Sequence, residues 1–187
     1  MQQAAKTEAA DALSYRDRLP LEWVPLPALP EGLEAERLAD SNARLLQTVE
    51  LLGDHAHTQP SDDPTATEIE LQRIHQKLNL LLELVGGFMR LQTQRPPAVP
   101  LRLSWRGVTW EGHGLPLGST GLVEIHLSSV LPMALRWPAT IVASEPGQVR
   151  AEFASVSEFC QAALERHVFQ RHRREVAEKR QPDKQAG

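Results

Sequence analysis

The stretch RLSWRGVTWEG, residues 102–112, decides the fold. Ser104 and Gly107 stand three positions apart inside a strand-like run, with a turn between RLSW and GVTW. The pattern repeats on either side. VPLRLSW, GVTWEG, GLVEIHL, ALRWPATIVAS and QVRAEFAS are short apolar runs separated by Gly, Pro or polar turns, so residues 98–155 read as mostly β. Upstream, YRDRLPLEWVPLPALP (15–30) holds a strand around Leu19–Leu26, where Pro20 and Pro25 favour an edge position or bulges. Downstream, residues 156–180 read as a helix with Val156, Phe159, Ala163, Leu164 and Val168 near one face. Residues 1–14 and 181–187 read as polar, flexible tails.

Between the first strand and the β section lie two helices, residues 31–95. The first is expected from Leu33 to Leu52 and stops at Gly53. A polar loop, DHAHTQPSDDP, follows; Asp63 offers an N-cap and Pro64 suits the first helical position. The second runs to about Gln94, where RPP ends it, a length of roughly 45 Å at 1.5 Å per residue. Its Leu71, Ile74, Leu78, Leu81, Val85 and Phe88 are spaced 3, 4, 3, 4 and 3, an a/d heptad pattern. The first helix repeats the idea with Leu38, Asn42, Leu45, Val49 and Leu52, and Asn42 falls at an a position, where a buried amide fixes register or oligomer state. Leu80, Leu82, Leu84 and Leu91 widen the apolar surface of the second helix, and exposed apolar surface of that size is an aggregation liability. The expectation is a homo-oligomer built on a coiled coil or bundle. A tetramer is favoured and a dimer is the alternative. Gly86–Gly87 weakens the helix locally and permits a kink or close approach.

Composition sets the remaining bounds. Of 187 residues, 41% are hydrophobic and 24% charged, and the net charge of -4 gives no basic footprint for nucleic acid. The basic run RHVFQRHRREVAEKRQ carries acids at helical spacing and reads as a solvated helix face. Cys160 is the only cysteine, so no intrachain disulfide forms, and its apolar neighbours make it a small buried side chain. No segment reads as a signal peptide or membrane span. A cytoplasmic protein without membrane contact is the expectation.

In its order and local signatures the β section resembles a PilZ domain. RLSWRG aligns with that family's [D/N]xSxxG motif: Ser104 and Gly107 match, and Arg102 replaces the acid or amide. GVTWEGHGLPLGSTGLVEIHL resembles the strand–turn–strand segment, with Gly118 at its turn; PATIVAS and VRAEFASVS resemble later strands, and ALERHVFQRHR the terminal helix. The likeness covers about 15–27 and 98–175, with 31–95 as an insertion. It implies a six-stranded antiparallel β-barrel with a C-terminal helix; together with the two inserted helices, read from their spacing as an oligomeric coiled coil or bundle, the expected fold is α+β.

In the family a second motif, RxxxR, precedes the first barrel strand, and SYRDRLPLEW holds no such pair, because Arg16 and Arg18 are only two apart. Both motifs together bind cyclic di-GMP in the family. Arginine serves that ligand well, since its planar fork grips phosphate and stacks on bases. Arg102 has donors only and cannot replace an acceptor. Each charge-assisted hydrogen bond lost costs about 1.5–3 kcal/mol. Two losses weaken binding by roughly a hundredfold to ten-thousandfold. Useful cyclic di-GMP binding is therefore not expected, and RLSWRG is expected to hold a barrel turn. Arg16, Arg18, Arg102, Ser104 and Gly107 are the degenerate ligand positions.

The other candidates are weaker. His55 and His57, near Asp54, Asp62 and Asp63, lack a third metal ligand at fixed spacing, and His113 in EGHGLP reads as turn chemistry. No catalytic triad order, P-loop or nucleotide-binding glycine motif is present, so no enzyme, cofactor or metal is expected. Trp105, Trp110 and Trp137 fall on expected strands, where core packing competes with an interface role. The resemblance implies a scaffold or adaptor in bacterial cyclic di-GMP-related signalling, with outputs such as motility, adhesion or virulence and a signalling protein as partner. The alternative is a cyclic di-GMP receptor with a divergent site.

Overall fold

Alternating side chains shape the β section. Leu101 and Leu103, Val108 and Trp110, Leu135, Trp137, Ala139 and Ile141, and Val149 and Ala151 are all buried at a period of two. The computed structural model describes residues 13–54, 65–92 and 95–180. Strands β1 (Ser14–Pro25), β2 (Ala98–Ser104), β3 (Gly107–Trp110), β4 (Thr120–Ile125), β5 (Leu135–Glu145) and β6 (Gln148–Phe153) close an antiparallel barrel in the order β1-β2-β3-β6-β5-β4. Helices α1 (Gly32–Asp54), α2 (Ala66–Gln92) and α3 (Glu158–Arg180) complete the described residues.

Strand β1 is longer than the sequence indicated and is not an edge. Ser14–Pro20 pairs with β2 and Leu21–Pro25 pairs with β4, so one strand closes the barrel by changing partners. Pro20 sits at the change, where its missing N–H matters least, and its carbonyl accepts from the His126 N–H at 3.0 Å. Two of the tryptophans are core. Trp137 is 2% exposed, stacks on Phe153 at 5.3 Å and donates through Nε1 to the Ala154 carbonyl at 3.1 Å. Trp110 is also buried, whereas Trp105 lies in the β2–β3 turn with the Arg106 guanidinium 4.5 Å over its ring. Gly118, in the turn before β4, has φ +78°, a conformation that side-chain-bearing residues resist.

Helix α3 lies against β1 and α1 through Cys160, Leu164, His167 and Val168. Leu164, Val168 and Cys160 are buried as expected, whereas Phe159, expected on the same face, is exposed. Burial, then Asp40, pushes the Cys160 thiol up to about 11, so it is an inert core group. Tyr15 and His167 share a hydrogen bond of 3.1 Å across this seam, and Arg171 pairs with Asp17. Burial, aided by Arg171 and Arg174, lowers His167 to about 4, so its ring is neutral at pH 7.

Candidate functional site

RLSWRG forms the β2–β3 hairpin. Ser104 and Gly107 are register partners around Trp105–Arg106. The Ser104 hydroxyl donates to the Gly107 carbonyl at 3.1 Å and accepts from the Arg106 N–H at 3.3 Å, so it is committed to its own turn. Gly107 has no positive φ; the reason for glycine here is space, not conformational freedom. A Cβ at 107 would lie 2.3 Å from the Ala151 carbonyl oxygen of neighbouring β6.

The degenerate ligand positions separate. Arg16 and Arg102 are directly opposite on β1 and β2, Arg102 opposes Thr109, and Thr109 opposes Arg150 on β6. Three arginines therefore share one cross-strand row along an open groove of about 650 Å³, with Glu111 and Glu145 at its rim. The buried Ser14 hydroxyl accepts from Arg102 Nε at 2.7 Å and orients that guanidinium. Arg18 opposes Pro100, and neither Arg18 nor Ser104 lines the groove. Arg150 was not legible in the sequence, because its place in the row follows from the β3–β6 register rather than from any local motif.

The two heptad helices have opposite fates. On α1, Asn42, Leu45 and Leu46 are buried and Leu38, Val49 and Leu52 are half-buried, all within this chain's own body. Asn42 is already buried within this single chain. Strand β6 pairs with β5 only from Ala139 onward, which leaves the Arg136 peptide beyond the ladder. The Asn42 amide donates to the Arg136 carbonyl at 2.9 Å and accepts from the Arg136 N–H at 3.0 Å, so it completes the barrel edge as a strand would. The α1 seam is thus taken up inside the chain. The polar a-position residue was visible in sequence; its backbone partner was not.

Among the described residues helix α2 has no extensive packing on another helix or strand. Leu71, Ile74, Leu78, Leu81, Val85 and Phe88 are between 49% and 61% exposed, and Leu80 and Leu84 are exposed beside them. With Leu71 at a, Leu84 occupies a g position and Leu82 an e position, while the preceding g positions hold Glu70 and Lys77. The apolar face therefore broadens from a narrow a/d stripe to a sector that includes e and g toward the C-terminal end. Full burial of each such side chain stabilises by about 1.5–3 kcal/mol. No helix among the described residues is long and apolar enough to cross a membrane.

His55, His57, Asp62 and Asp63 lie outside the described residues, and His113 is exposed in its glycine-flanked turn. Among the described residues no group of three or more His, Cys, Asp or Glu is placed to hold a metal ion.

Against known proteins, residues 45–181 match the family model described as an atypical PilZ domain, cyclic di-GMP receptor. The matched range includes the second half of α1 and all of α2, the region taken in sequence as an insertion. A search of curated proteins finds no match. Among solved structures, one similar chain is a pathogenic protein of Xanthomonas campestris, a tetrameric PilZ domain self-assembled via an unusual helical bundle. It is 31% identical, with a TM-score of 0.71, over 94% of this chain and 97% of that one.

Proposed function

Because this chain belongs to the atypical PilZ domain family, whose members are receptor or adaptor domains, we propose that it is a non-enzymatic scaffold that self-assembles through α2 and displays several barrels to a signalling protein. The observation that carries this reading is the exposed heptad face of α2. Leu at a with Ile at d in the first heptad, and apolar e and g positions in the later part, favour a homotetramer over a dimer. The tetrameric relative, assembled by a helical bundle, supports the same choice. Linked barrels gain avidity for a partner without new contacts. The process served is bacterial cyclic di-GMP-related signalling in the cytoplasm, with motility, adhesion or virulence as outputs.

The scaffold itself has no useful affinity for cyclic di-GMP. No RxxxR pair stands at the start of the barrel, Arg102 stands where an acceptor is needed, and the Ser104 hydroxyl is engaged in its turn. One observation favours a second reading, a receptor with a divergent site: Arg16, Arg102 and Arg150 in one row offer three guanidiniums to phosphates. Calorimetric titration with cyclic di-GMP to high micromolar decides between them. No heat of binding is the expected result. Saturable micromolar binding that Arg102→Ala abolishes overturns the scaffold and establishes the receptor.

A further inference from the structure

An arm that links barrels needs a defined angle to its own barrel, and two contacts at its root address that need. The first is Gly86, buried against the loop between β4 and β5. A Cβ there would lie 2.2 Å from the Val130 carbonyl oxygen, so only glycine lets α2 rest on this loop. The second is Arg95, just after the helix. Its guanidinium donates to the carbonyls of Ser128 and Ser129, each at 3.4 Å, and of Leu131 at 2.5 Å. The loop is itself held in shape, because the Ser128 hydroxyl accepts from the N–H groups of Val130 and Leu131 at 3.2 and 3.4 Å. Pro96 and Pro97 follow Arg95 and restrict the backbone on the way into β2. One turn or two further up the arm the contact opens. Asn79, Leu82 and Glu83 stand over a cleft of about 420 Å³ floored by Val49, Leu127 and His167. The arm is thus fixed at its root and stands clear of the body above it.

We propose that Gly86 and Arg95 are positioning residues: they latch α2 onto the Ser128–Leu131 loop and set the angle between arm and barrel. A guanidinium suits this task because several fixed N–H donors reach carbonyls that point in different directions, which a lysine ammonium on a flexible stem does not reproduce. In an assembly through α2, the latch holds the barrels at set separations, so a partner that touches two barrels meets a preorganised pair rather than a swinging one. That consequence rests on the self-assembly reading; the latch itself is a property of a single chain.

The test uses the full chain with Cys160→Ala and two spin labels, one at position 76 on α2 and one at position 145 on β5. Labelled chains are diluted into excess unlabelled chain so that each distance is intramolecular. Dipolar spectroscopy is expected to give one narrow distance distribution. Arg95→Ala is expected to broaden it at least twofold and Arg95→Lys to broaden it less, with the mass by light scattering and the tryptophan near-UV spectrum unchanged. A broad distribution in the parent protein overturns the latch, and so does a distribution that stays narrow in a folded Arg95 variant. A monomeric mass in the parent protein instead overturns self-assembly, whatever the distances show.

Discussion

Helices α1 and α2 carry the same a/d spacing, yet the stripe of one is buried in the chain's own body and the stripe of the other is exposed from Leu71 to Phe88. The difference lies in the residues between the leucines. Helix α1 has Ala39 and Ala43 on either side of Asn42, small enough to let the helix approach the barrel until the amide reaches the Arg136 peptide. Helix α2 has bulky leucines and no such step until Gly86, the position where it meets the body. Heptad spacing establishes that a stripe will be covered. Small and polar residues on the stripe establish whether a backbone nearby or another leucine-rich helix covers it.

The contrast gives four expected outcomes, from the largest effect to the smallest. Charging the exposed stripe with Leu78→Glu and Leu81→Glu should dissolve the assembly to a smaller species by light scattering while the barrel's unfolding midpoint barely moves. A body that unfolds along with the assembly would break the contrast. Asn42→Ala should do the reverse. It leaves the part-buried N–H and carbonyl of Arg136 without their Asn42 partners, which costs about 2–4 kcal/mol in denaturant unfolding, and the mass should not change. A drop in mass without loss of stability would return α1 to the assembly seam.

Acid should act on the body seam as well. His167 is held at about 4, below its ordinary 6.5. The unfolded chain takes up a proton there before the folded chain does, so stability present above pH 6.5 is lost as the pH falls toward 4. The loss is about 3 kcal/mol from this one group. His126, lowered by burial and then by Arg95, adds in the same direction. Denaturant midpoints measured from pH 7 to pH 4 check it, and His167→Gln should flatten most of the slope. The smallest effect belongs to the hairpin. Ser104→Ala should cost about 0.5–1.5 kcal/mol and leave any anion binding at the arginine row unaltered, since Ser104 does not line that groove.

Much of the barrel was legible because alternation and Gly or Pro breaks mark each strand. What escaped depended on partners distant in sequence. The Ser14–Arg18 half of β1 lay outside the strand expected around Leu19–Leu26, and it is a strand because β2 and α3 flank it: the His172 ring and the Ser14 carbonyl lie 2.7 Å apart, and the Arg16 N–H donates to Glu175 at 3.1 Å. Phe159 was taken for the buried face and is exposed beside the buried Cys160, because the side on which a helical residue falls turns on the packing angle of α3 rather than on hydrophobicity. At the candidate site, the lack of an RxxxR pair before the first barrel strand and the Ser104–Gly107 turn were readable locally. The row through Arg150 was not, because it exists only once β3 and β6 are aligned. The apolar stripe on α2 was readable from its spacing, and the structure leaves it exposed, whereas the stripe on α1 was readable without its partner.

The most direct measurement is the mass of the purified protein by light scattering at micromolar concentration. A mass about four times the 20.8 kDa chain is the expected result. A monomer at that concentration would mean that the exposed leucines of α2 do not assemble the protein, and would contradict the account at its centre.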